Sequence, residues 1–102
     1  PLSEFIQEPI DFLKLTIDGD ELTVLQELET SGTLSQVREL VVEFISRPND
    51  DQRLGPLLNL LARQGFRYLV HDYDVESNQA TKPPFRITPT TAWHCLVYAR
   101  RL

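Results

Sequence analysis

A chain of 102 residues, 41% hydrophobic and 25% charged, is at most one soluble globular domain, and nothing in its composition signals disorder or fibre. Its formal net charge of -5, with cations scattered apart from Arg100-Arg101, leaves no basic surface for a phosphate backbone and sets nucleic-acid binding aside. One cysteine, Cys95, excludes an internal disulfide and a cysteine-based zinc site, and no apolar run approaches the ~20 residues that span a bilayer.

In "IDFLKLTI", residues 10–17, apolar side chains fall on odd and even positions alike, which predicts a strand covered on both faces, as in a parallel sheet. From Asp18 the rhythm changes. Leu22, Leu25 and Leu28, with Val24 beside them, recur every three or four residues and predict a helix that Gly32 stops. "ELVVEFI", 39–45, is a second strand, and its distance from the first is that of a βαβ unit. After the polar turn 46–53, Leu54, Leu57, Leu58 and Leu61 form a helical stripe, with Pro56 near its start and Gly65 just past its end. "GFRYLVHDY", 65–73, gives a third strand. A long connection, 74–90, carries Pro83-Pro84 and Pro89, which suit neither a helix nor a central strand. In "AWHCLVYARRL", Trp93, Cys95, Val97 and Ala99 alternate with His94, Leu96 and Tyr98, so a fourth strand ends the chain.

The order is therefore β-α-β-α-β-loop-β, an α/β chain in which two crossovers make the first three strands parallel and the helix-free connection makes the fourth antiparallel. Such a sheet cannot cover both of its faces. The first strand needs a neighbour, so the chain either pairs with a second copy across that edge or is the C-terminal part of a larger α/β domain. The opening at Pro1 and the lack of Met suit a processed product or a piece of something longer.

The stretch "DFLKLTIDGDE" resembles the signature of FkbM-type S-adenosylmethionine-dependent methyltransferases, in which a strand close to Phe-Leu-Lys-Ile-Asp-Val-Glu-Gly-Ala-Glu runs into a helix. Phe12, Leu13, Lys14, Leu15, Gly19 and Glu21 align with it, and Ile17 and Asp18 stand in for its Val and Glu. The likeness continues through "LVVEFI", "LLARQGFRYLVHDYD" and the last strand. It implies a Rossmann-like half-sheet, the C-terminal half of a class I methyltransferase fold over residues 1–102, with an antiparallel strand inserted next to the end. It also implies S-adenosylmethionine as cofactor of the parent protein and a small-molecule or glycan-like acceptor. The glycine-rich loop that grips the cofactor in the family is absent, since Gly19, Gly32, Gly55 and Gly65 each stand alone, so no cofactor-binding residue is assigned to this chain. Where the family has Asp, two residues after the Lys, this sequence has Thr16, which cannot act as a carboxylate base or metal ligand.

On that resemblance the acceptor side of the crevice comprises Thr16, Asp18 and Glu21 at the first strand end, with Glu43 and Phe44 from the second. Asp18 and Glu21 also fit a capping box, Asp18 as N-cap with Glu21 three residues on, which satisfies orphan N–H groups and suits the helix dipole. Glu43 in "VVEFI" needs a partner or solvent, so it either faces the crevice or pairs with Lys14 or an arginine. The stem of Lys14 packs on the sheet with its amine at the surface. His71 and His94, two histidines on different strands, make a weak metal case, and "HDYD", 71–74, reads as a solvated strand end. Cys95 in its apolar alternation reads as a small buried hydrophobe. The competing reading is a non-catalytic α/β interaction or dimerisation module.

Overall fold

The computed structural model describes residues 1–5, 8–16, 21–47, 52–72 and 83–102. Its elements are β1 (Ile10–Leu15), α1 (Glu21–Thr30), β2 (Val37–Ser46), α2 (Leu54–Arg63), β3 (Phe66–Asp72) and β4 (Trp93–Arg101), with short 3-10 turns at Leu2–Phe5 and Thr33–Gln36. Each helix and strand falls where the apolar pattern puts it. The two 3-10 turns carry no periodic signal and go unread in the sequence.

The sheet has the order β1-β2-β4-β3. β1 and β2 are parallel, with Ile10 beside Val37 and Leu15 beside Val42. β4 runs antiparallel to both neighbours, Val97 facing Val42 on one side and Val70 on the other. The last strand thus returns into the gap between β2 and β3. Among the described residues the sheet is mixed, and β1–β2 is its one parallel ladder.

Alternation decides which face of this sheet is covered. Leu15, Leu40, Val42, Phe44, Cys95, Val97 and Ala99 share one side and join Leu25 and Leu28 of α1 and Leu57, Leu60 and Leu61 of α2 in a single core. Both helices therefore lie on one face. Each of those five helical leucines has no exposed surface, and a leucine buried to that degree stabilises by about 1.5–3 kcal/mol. The opposite face is open: Phe12 of β1 is 57% exposed, Tyr98 of β4 44% and Leu69 of β3 73%. A two-faced apolar β1 is thus covered by the described residues on one face only.

Three details lock the layers together. Gly65 ends α2 at φ 86°, a left-handed conformation that suits glycine, and its N–H bonds the Ala62 carbonyl at 3.1 Å. Arg101 reaches over that turn from the end of β4 and donates to the carbonyls of Leu34 at 2.9 Å, Val37 at 3.3 Å and Gln64. Arg63 of α2 holds Glu29 of α1 in a two-pronged pair, Nε to Oε2 at 2.7 Å and Nη2 to Oε1 at 2.6 Å. No helix among the described residues is long and apolar enough to cross a membrane.

Candidate functional site

The parallel ladder ends on Leu15 beside Val42. The residues that follow directly are Thr16 and Glu43, so the register brings these two to neighbouring positions at the carboxyl ends of β1 and β2. Thr16 is exposed and Glu43 half-buried. Because Val42 and Phe44 face the core, Glu43 takes the open face. There it stands opposite Leu96 of β4, and Leu96 stands opposite His71 of β3. His94, opposite Ile45, lies diagonally across from Glu43 on the same face. Thr16, Glu43, His94 and His71 thus share one face and one end of the sheet.

Glu21 is the first residue of α1 and only 2% exposed, at the positive end of the helix dipole, where a carboxylate is favoured. Asp18, its partner in the capping box, lies outside the described residues. The same holds for Ile17, Gly19 and the last two residues of "HDYD". Lys14 is exposed on β1 beside Val41 and, among the described residues, forms no ion pair with Glu43. Neither does an arginine, since Arg100 pairs with Glu39 at 3.4 Å and Arg63 with Glu29. Of the two readings of Glu43, the buried ion pair is not formed among these residues.

Phe44 departs from the crevice reading. It is 4% exposed on the core face, its ring centroid 5.6 Å from that of Trp93 at a tilt of 41°, so it supports the strand end from below. His71 and His94 are not cross-strand partners, because His71 faces Leu96 and His94 faces Ile45. Among the described residues no group of three His, Cys, Asp or Glu stands together to hold a metal ion. Cys95 is 1% exposed on the core face, beside Phe44. The residue that sequence reasoning undervalued is His94. Considered only as a metal ligand, it is instead placed by the antiparallel register diagonally beside the half-buried Glu43.

A half-buried carboxylate flanked by a hydroxyl and an imidazole can accept hydrogen bonds from a hydroxyl or amine and hold that group in place. The row offers no carboxylate at position 16. Nor do the described residues form a cradle for a nucleoside cofactor. Gly32 follows α1 at φ 77°, Gly65 follows α2, and Gly55 lies inside α2, so none of them opens a strand-to-helix turn. A groove of about 400 Å³ does mark the open face, lined by Phe12, Leu69 and Tyr98 and rimmed by Arg67 and Arg100. It lies toward the amino ends of β1 and β2, away from Thr16 and Glu43. Its apolar lining is what a covering layer of an α/β sheet packs against.

A family model for the methyltransferase FkbM domain matches residues 1–68, two thirds of the chain. The match runs from β1 through α2 into β3 and includes Thr16, Glu21 and Glu43. No curated protein and no solved structure matches the chain.

Proposed function

This chain belongs to the FkbM methyltransferase family, and on that premise we propose that it is the C-terminal half of a Rossmann-like methyltransferase domain and forms the acceptor side of its active-site crevice. The observation that carries this reading is the juxtaposition of Thr16 and Glu43 at the carboxyl ends of the parallel strands, within the matched region. Ligands of open α/β sheets bind at that end.

The family implies S-adenosylmethionine as the methyl donor. The described residues do not fit it, so we assign the cofactor to residues other than these, in a half joined at the free edge of β1 and over the open face. What this half contributes is positioning. Glu43 accepts a hydrogen bond from the hydroxyl or amine of a small-molecule or glycan-like acceptor and orients it, with Thr16 as a second polar contact. Glu21, the first residue of α1, adds a carboxylate to that wall of the crevice, and the family resemblance assigns Asp18 to it as well. Thr16 replaces the family's Asp, which leaves Glu43 as the carboxylate that the register sets beside it among the described residues. The experiment is a calorimetric titration of S-adenosylmethionine into the protein extended upstream by its coding sequence. Binding heat and a thermal shift are the expected result; neither heat nor shift would sink the reading.

A second reading, a non-catalytic module that dimerises, draws on Thr16 and on the exposed Phe12, Leu69 and Tyr98. Sedimentation of the 102-residue chain decides it: a dimer that Leu69→Asp dissociates supports this reading, and a monomer at all concentrations removes it.

A further inference from the structure

In the connection into β4 every residue from 83 to 90 is exposed. It holds Arg86, Thr88, Pro89, Thr90 and Thr91. A turn there is closed by Thr91 N–H bonding the Thr88 carbonyl at 3.1 Å and Thr88 N–H bonding Thr91 Oγ1 at 2.9 Å. We propose that Thr88 is the phosphoryl acceptor of a proline-directed Ser/Thr kinase.

Three threonines lie within four residues, and their chemistry is the same. What separates them is the next residue. Pro89 has no N–H, so it can enter a kinase pocket that offers no acceptor for that group, whereas Thr90 and Thr91 are followed by residues that bring an N–H needing a partner. Arg86, exposed two residues before Thr88, adds a cation for an acidic kinase groove. In the reaction the bond from Thr88 Oγ1 to the γ-phosphorus of ATP forms, the bond to ADP breaks, and the hydroxyl proton passes to the kinase's base.

The site is also furnished for the product. Thr88 Oγ1 lies 3.3 Å from the Thr90 N–H nitrogen, 3.0 Å from Thr90 Oγ1 and 3.3 Å from Thr91 Oγ1. A phosphate there finds one amide and two hydroxyl donors already gathered, and a dianion strengthens each of those bonds. The connection enters β4 at Trp93, which faces Ser46 at the carboxyl end of β2.

The test incubates the 102-residue chain with a recombinant proline-directed kinase and ATP and maps the phosphate by tandem mass spectrometry, with a peptide of residues 83–94 as reference. Expected are a single phosphate on Thr88, a rate for the folded chain within about tenfold of the peptide, and a loss of at least about tenfold in Pro89→Ala. Phosphate on Thr90 or Thr91, no phosphate on the folded chain, or an undiminished rate in Pro89→Ala overturns the proposal. Circular dichroism of the variant confirms its fold. The outcome is independent of the methyltransferase reading, which stands or falls on cofactor binding.

Discussion

The guanidinium carbon of Arg101 lies 4.3 Å from the centre of the Phe66 ring, so the last residue of β4 stacks on the first residue of β3 while its nitrogens bond three backbone carbonyls. Planarity and a fixed fork of donors let one side chain do both, which a lysine cannot. Removing it leaves the carbonyls of Leu34, Val37 and Gln64 without this donor in a partly buried place. Arg101→Ala is therefore expected to cost about 2–4 kcal/mol, and Arg101→Lys more than half of that, read from the urea midpoint. An Arg101→Ala midpoint equal to the parent's would show that the clasp contributes nothing.

Gly65 answers to the same arginine. At φ 86° a side chain is strained, and a Cβ there would come within 3.3 Å of Arg101 Nη1. Gly65→Ala should lower stability by about 1–2 kcal/mol from the backbone alone. In the Arg101→Ala background the same substitution should cost less, because its side-chain obstacle is gone. A double-mutant cycle in chemical denaturation measures that difference.

Leu60 tests the helical layer. It has no exposed surface and belongs to the core on the covered face of the sheet. Truncation to alanine removes its burial and leaves a cavity, at about 2–5 kcal/mol. For a chain this small that is a large part of the whole stability, so Leu60→Ala is expected to be partly unfolded at 37 °C by circular dichroism. Leu58, half-buried on the same helix, should tolerate alanine far better.

Most of this architecture is legible in the sequence because two periods separate cleanly. Leu22, Leu25 and Leu28 repeat at helical spacing, and Trp93, Cys95, Val97 and Ala99 at strand spacing, which also puts Arg101 on the core side of β4. Counted as half of a basic pair, Arg101 looks like a surface residue; counted in the alternation, it belongs where the structure has it. Register is what the sequence withholds. Nothing local says that Thr16 follows Leu15 at the level where Glu43 follows Val42, or that His94 lies diagonal to Glu43, because both depend on pairings between distant segments. The assignment of Phe44 to the acceptor side is a misreading of what is legible, because alternation along β2 cannot put it on the same face as Glu43. The step of one residue from Glu43 turns it to the core.

The pair of Glu29 and Arg63 gives the fold a pH dependence. The hydrogen bonds from Arg63 hold the Glu29 carboxyl below its ordinary value, with Gln64 Nε2 adding a bond at 3.0 Å. A carboxyl lowered in the folded state contributes stability that is present above its unfolded value, about 4.3, and is lost as pH falls through the lower folded one. The parent should therefore lose more stability than Glu29→Gln between pH 6 and pH 3, the two curves converging in acid. Arg63 is 54% exposed and Glu29 20%, so solvent screens the pair and the effect should shrink in high salt. Parallel curves for parent and variant would show the pair to be idle.

The juxtaposition of Thr16 and Glu43 can be tested without any substrate. Thr16→Asp places a second carboxylate on the neighbouring strand end, the residue type that the family pattern carries there. Two carboxylates at that separation repel, and each makes the other harder to ionise, so at least one titrates higher in the folded chain than in the unfolded one. A raised carboxyl contributes stability that is present below the unfolded value and is lost as pH rises through the folded one. Thr16→Asp should then be destabilised at pH 7 by about 0.2–1 kcal/mol relative to its own cost at pH 4, the size of a cross-strand charge pair with its sign reversed. Adding Glu43→Gln should abolish that dependence while leaving any cost of the aspartate itself. Urea midpoints at the two pH values for the parent, both single variants and the double variant measure it. A Thr16→Asp cost that is flat with pH would show that the two side chains do not meet, and would take with it the row of polar groups on which the acceptor wall is built.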